Sequence, residues 1–105
     1  MVALNMKIEK SDALIKNYSG FVMQGSNMSP AVNEGDHLVV DLEQRAIRSG
    51  EIYIIAYKQS NVVCRLLLDG DVVRLVFDGT KTFFEEPLSA IKIIGRVIEV
   101  KAFEG

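Results

Sequence analysis

Apolar residues in this chain come in short runs, set apart by polar turns that often carry glycine. Phe21-Val22-Met23, Leu38-Val39-Val40, Ile52 to Tyr57, Val62 to Leu68 and Val72 to Phe77 are rich in β-branched and aromatic residues and read as strands. Asn33-Glu34-Gly35-Asp36, Ser49-Gly50, Asp69-Gly70 and Asp78-Gly79 read as the turns between them. Val62 to Leu68 and Val72 to Phe77, joined at Asp69-Gly70, form the clearest hairpin. Pro87-Leu88-Ser89 reads as a loop. Ile91 to Phe103 is a long final β segment, with Gly95 as a bulge or bend. Turn signals every roughly 8–12 residues predict an all-β barrel or sandwich rather than a helical or βαβ fold. Residues 1–19 are less readable. Lys7 to Lys16 mixes charge with Ile8, Leu14 and Ile15, which fits an N-terminal arm or linker ahead of a β-domain over residues 20–105. No helical pattern of useful length precedes Phe21.

Composition narrows the setting. The chain has 105 residues, 49% hydrophobic and 25% charged, enough for one compact domain with a core and not for two. Its net charge of −2 provides no basic face of the kind that drives affinity for DNA phosphates. Cys64 is the single cysteine, so no internal disulfide can form, and a reducing cytoplasmic setting is the simple expectation. No apolar run approaches the length of a membrane span, and no signal-peptide core opens the chain. No group of cysteine, histidine and carboxylate residues has metal-ligand spacing, so neither a metal nor a cofactor is expected.

The stretch with most chemical content is Gly25-Ser26-Asn27-Met28-Ser29-Pro30, followed by Glu34-Gly35-Asp36 and the apolar strand ending at Asp41. It resembles the nucleophile motif of the self-cleaving phage-repressor and SOS-repressor family (LexA-like, peptidase S24), which reads Gly-Asp-Ser-Met-x-Pro. Two further blocks extend the resemblance from about Ser19 to about Val100. Gly50-Glu51-Ile52-Tyr53-Ile54-Ile55 resembles the family's Gly-Asp-x-Tyr-x-Val strand, and Val62-Val63-Cys64-Arg65-Leu66 its Val-Lys-Arg-Leu. Ile93-Ile94-Gly95-Arg96-Val97-Ile98 is similar to its closing strand. The resemblance implies a mainly β fold: a single compact domain of short, highly twisted strands, like LexA and the signal peptidases. The membrane-anchored signal peptidases share the Ser-Met signature, but the missing apolar span argues against them.

Within that frame, Asn27 stands where the resemblance implies a nucleophilic serine, and Cys64 where it implies a general-base lysine. The two lie 37 positions apart (64 − 27), the family's spacing. A Ser-Lys dyad works because a desolvated lysine is neutral and can accept the serine proton. The Asn27 amide is a poor nucleophile, and a Cys64 thiol cannot replace the amine. Dyad members act as a unit, so no catalytic residues are expected. Gly25, Ser26, Met28 and Pro30 are then expected to survive as a loop kept for shape. A relocated serine is disfavoured. On extended backbone Ser26 points away from the old site. Ser29 lies beyond a turn-forming region, and the lysines nearest to position 64 are Lys58 and Lys81.

The remaining residues have ordinary readings. Cys64 is expected as a small buried side chain rather than a reactive thiol, with Arg65 on the opposite face. His37 is expected at the rim, and Asp36 and Asp41 in turn and strand-end roles. Phe83 and Phe84 are expected in the core, although two adjacent strand residues cannot both face inward.

Once the enzyme is removed, the resemblance implies a homodimer. Its contact would come from the last strand, with Ile94, Val97, Ile98, Val100 and Phe103 as candidates. DNA would be met only through an N-terminal helix-turn-helix outside these residues. The leading expectation is a non-catalytic dimerisation or regulatory domain of a phage-repressor-like transcriptional regulator. One alternative is a stand-alone module, like the SOS mutagenesis proteins, docking on a recombinase or polymerase. The other is an S24 serine peptidase with an atypical site. No Ala-Gly pair, the family's usual scissile peptide, occurs here.

Overall fold

A computed structural model describes residues 3–7 and 18–102. Among these, β1 (Ala3–Lys7), β2 (Tyr18–Val22), β3 (His37–Asp41), β4 (Ile52–Tyr57), β5 (Ser60–Asp69), β6 (Val72–Phe77), β7 (Thr82–Pro87) and β8 (Lys92–Lys101) follow in chain order. A single 3-10 turn, Leu88–Ala90, precedes β8. The fold is mainly β, as the alternation of apolar runs and turns requires. β1 and β7 were not marked by the sequence pattern. The architecture is one antiparallel sheet in the order β1-β2-β3-β8-β4-β5-β6-β7, rather than two facing sheets. β8 is thus central, between β3 and β4.

The sheet coils. The Tyr57 hydroxyl donates a hydrogen bond to the Glu86 carboxylate, although three strand steps separate β4 from β7. In a flat sheet those steps span about 14 Å. Coiling lets the sheet enclose its own core, a contiguous cluster that includes Leu38, Val40, Tyr53, Ile55, Cys64, Leu66, Leu75 and Val97.

β8 crosses this coil with two irregularities. Ile54 pairs with Gly95 and Ile55 with Ile93, so Ile94 is an extra residue. Val40 pairs with Val97 and Val39 with Glu99, so Ile98 is another. Each is a bulge that adds twist and re-aims a side chain. Gly95 sits beside the first bulge, and its role is close approach. A Cβ there would lie 2.7 Å from both the Asp41 carbonyl oxygen and Val40 Cγ1.

Candidate functional site

The Gly25–Pro30 stretch lies in the connection between β2 and β3, and the backbone closes that connection at its base. Met23 N–H donates to the Asp36 carbonyl and Gly35 N–H to the Met23 carbonyl, each at 2.9 Å. Within the loop, Ser29 N–H bonds the Ser26 carbonyl at 3.1 Å and Val32 N–H the Met28 carbonyl at 2.9 Å. Residues 27–31 therefore turn rather than extend, and strand alternation does not place Ser26. Ser26 is exposed, while Asn27 and Ser29 are half-buried. Gly25 carries a φ of +90°, a conformation open to glycine at little cost, where the chain leaves the sheet. The Ser29–Pro30 peptide is cis, and Pro30 is exposed.

Two side chains anchor the loop. Met28 and Val32 are completely buried and belong to the same apolar cluster as Cys64. The two motif regions, remote in sequence, thus share one core. Cys64 pairs with Tyr53 across β4 and β5. The Tyr53 ring is buried too. Its hydroxyl accepts the Arg48 N–H at 2.8 Å and donates to the Ala46 carbonyl at 3.0 Å.

Burial decides the state of Cys64. Loss of solvent pushes its thiol up to about 12, so it is a protonated, apolar side chain at neutral pH. An acid whose pKa is raised on folding contributes stability below its unfolded pKa and loses it as pH rises through the folded value. The parent is therefore expected to lose stability between pH 9 and 12 with an extra slope of about 1.4 kcal/mol per pH unit from this one proton. Urea melts of the parent and of Cys64→Ala across that range test it. Parallel pH profiles for the two proteins would sink the idea.

The outer side of the site is built by the residue after Cys64. Arg65 grips Asp78 through two bonds, Nε to Oδ1 at 3.2 Å and NH2 to Oδ2 at 2.5 Å, and donates through NH1 to the Gly50 carbonyl at 2.7 Å. The bond to Asp78 raises the guanidinium pKa further. Asp78 opens the turn between β6 and β7, and the next residue, Gly79, donates its N–H to the Asn27 carbonyl at 2.8 Å. A Cβ on Gly79 would lie 2.4 Å from the Ser26 carbonyl oxygen and 2.9 Å from the Asn27 carbonyl carbon. So the motif loop is held from beneath by Met28 and Val32, and from the side by Gly79 on a turn clamped by Arg65. Asp78-Gly79 read in the sequence only as a hairpin turn. Nothing local marks a contact with residues some fifty positions earlier.

The other candidates fall into place individually. Asp36 Oδ2 accepts the Asn33 N–H at 2.9 Å, and Asp41 Oδ1 accepts the Glu43 N–H at 3.0 Å, which gives them turn and strand-end roles. His37 begins β3 and is half-buried. Among the described residues no group of three or more histidine, cysteine or acidic side chains could hold a metal. Among the described residues no helix is long and apolar enough to cross a membrane. Of the last-strand candidates, Val97 is taken by the core at 7% exposure and is not available to a partner. Ile94 is half-buried. Ile98 and Val100 are exposed; Ile98 follows the inward-facing Val97 and, as the extra residue of the bulge, has no partner on β3. Phe103 lies outside the described residues. Phe83 and Phe84 are both about half exposed, so neither belongs to the core.

A coiled antiparallel sheet that buries the methionine of a Gly-Ser-Asn-Met-Ser-Pro loop against its central strands defines a peptidase-like β-domain. The chain belongs to the family described as Peptidase S24-like, which matches residues 5–98. It is also similar to an uncharacterised HTH-type transcriptional regulator of Haemophilus influenzae, 28% identical over 91 residues. That match covers 80% of this chain and 37% of the relative, so the chain spans little more than a third of that protein's length.

Proposed function

We propose that this chain is a non-catalytic, self-associating regulatory domain of a LexA-like transcriptional regulator, whose contact with DNA is made by a helix-turn-helix segment outside these residues. The observation that carries the reading is a contrast. The loop frame of a peptidase is kept, with Met28 buried and Gly79 docked on Asn27, while the two reacting positions hold an amide and a buried, protonated thiol. An amide cannot attack a carbonyl, and a thiol held near 12 supplies neither a thiolate nor a base at neutral pH. The similarity to an HTH-type regulator supports the regulatory setting. Self-association is assigned to the exposed face of β8, where Ile98 and Val100 are 38% and 36% exposed on a strand that cannot pair further.

Two measurements test the reading. A fluorophosphonate probe is expected to leave the parent unlabelled after hours at pH 7–9, and prolonged incubation is expected to leave the chain uncut. Sedimentation is expected to show self-association in which Ile98→Asp with Val100→Asp weakens the β8 contact at least tenfold, since charges placed in an apolar contact must be desolvated. Labelling that Asn27→Ala abolishes would restore the atypical-peptidase reading. A parent that sediments as a monomer would remove the β8 assignment.

A further inference from the structure

The sheet ends at β7, and among the described residues no strand pairs with its outer side. A bare edge offers unpaired N–H and C=O groups to another chain, and folded proteins usually blunt such edges. Here Pro87 blunts one end only. Five of the six β7 residues are exposed. Phe83 and Phe84, at 53% and 51%, are the most exposed large apolar side chains among the described residues.

The phase of the ladder tells which groups the edge presents. Leu88 N–H donates to the Asp71 carbonyl at 2.8 Å, a bond that straddles the Val72–Pro87 pair. That pair is therefore of the non-hydrogen-bonded type. By alternation, Thr82, Phe84 and Glu86 turn their peptide groups toward β6, and Phe83 and Glu85 turn theirs outward.

We propose that β7 pairs antiparallel with β7 of a second copy, about a two-fold axis at Phe83. A two-fold axis perpendicular to the sheet keeps each face on its own side, so opposed residues must be an even number of positions apart. Any residue of β7 can be such a centre, among them Glu85, Phe84 and Phe83. Centring on Glu85 sets carboxylate against carboxylate and meets the missing N–H of Pro87. Centring on Phe84 sets Phe83 against Glu85 and Thr82 against Glu86, with no cationic residue directly opposed to either carboxylate across the contact. Centring on Phe83 opposes the two Phe83 rings and sets Lys81, one residue before the strand, against Glu85 of the second copy. Arg74 already lies 4.5 Å from the Phe83 ring centroid and bonds Glu85 at 2.6 Å. In the Phe83 register each ring gains an aromatic neighbour beside its own guanidinium. Hydrogen-bond phase does not separate the three registers, since the Lys81 N–H is already spent on the Phe77 carbonyl at 2.9 Å. The Phe83 register is the one of the three that sets a lysine of the second copy against Glu85.

The contact is separate from the proposed β8 face. β4, β5 and β6 lie between the two strands in the sheet. A chain using both surfaces would assemble beyond a dimer.

Cysteine scanning tests the register. In the Phe83-centred pair the two residue-83 Cα atoms stand about 5.5 Å apart, within disulfide reach, whereas the residue-84 pair lies beyond it. With diamide, Phe83→Cys is expected to form a covalent dimer at least roughly tenfold faster than Phe84→Cys. The parent is expected to form none, since Cys64 is buried. Ile98→Asp with Val100→Asp should leave this cross-linking unchanged, which separates it from the β8 contact. Equal rates for the two cysteine variants would overturn the register. A Phe83→Cys protein that stays monomeric would overturn self-pairing. If a labelled extended peptide with lysine at both ends binds the parent and is lost with Phe83→Pro, the edge serves a basic partner strand instead.

Discussion

Gly95→Ala is expected to destabilise the domain by about 3 kcal/mol or more. The added methyl would sit 2.7 Å from the Asp41 carbonyl oxygen and from Val40 Cγ1, both on β3. A flexible side-chain tip could swing away; a strand backbone cannot. Relief requires β3 and β8 to separate where Val40 pairs with Val97 and Asp41 with Arg96, in the middle of the sheet and at the wall of the core. Since a small domain holds only about 5–15 kcal/mol in total, the loss is a large share of its stability. The melting temperature should fall by roughly 12–24 °C. Gly70→Ala is the comparison. Gly70 has φ +64° and open space around the Cβ position, so only backbone strain applies, about 1 kcal/mol. Similar melting temperatures for the two variants would remove close approach as the reason for glycine at 95.

Asn27→Ser together with Cys64→Lys is expected to convert an unlabelled protein into one that a fluorophosphonate labels, at least about a hundredfold faster than either single variant. The buried position of Cys64 is what makes the experiment work. Desolvation that raises the thiol pKa would lower that of a lysine there and yield the neutral amine a serine requires. The same desolvation has a cost. A lysine whose pKa is depressed on folding contributes full stability above its unfolded value, and stability falls as pH drops from there toward the folded value. The double variant should therefore be most stable above about pH 10.4, lose stability through neutrality, and be assayed near pH 9. Met28, Val32 and Gly79 are untouched, so the loop should keep its docking. A folded double variant that stays unlabelled would mean that residues 27 and 64 are not a latent dyad in this chain.

Much of the strand framework was legible. Ile52–Tyr57 and Val72–Phe77 have the bounds their apolar runs suggested, and the Asp69-Gly70 hairpin forms. These features depend on short-range properties, β propensity and glycine conformation, that a local window contains. The bounds of β7 carry no local signal: Phe83-Phe84-Glu85-Glu86 does not alternate, and its strand character comes from pairing with β6. The last strand shows the same limit. Gly95 and Val97 are buried and strict alternation would bury residue 99 as well, yet Glu99 is exposed, because the bulge at Ile98 shifts the alternation against β3.

The candidate site divides along the same line. Residue identity alone established that an amide and a thiol stand at positions 27 and 64, that Gly-x-x-Met-x-Pro is retained, and that no lysine lies within five residues of Cys64. Chain coiling supplied the rest. It gave Met28 and Cys64 a common core, made Arg65 a clamp on Asp78, seated Gly79 against Asn27 and left β7 with a bare edge. Propensity and periodicity act over a few residues. These contacts join segments tens of residues apart through strand order and bulge position, which are set when the whole sheet closes on its core.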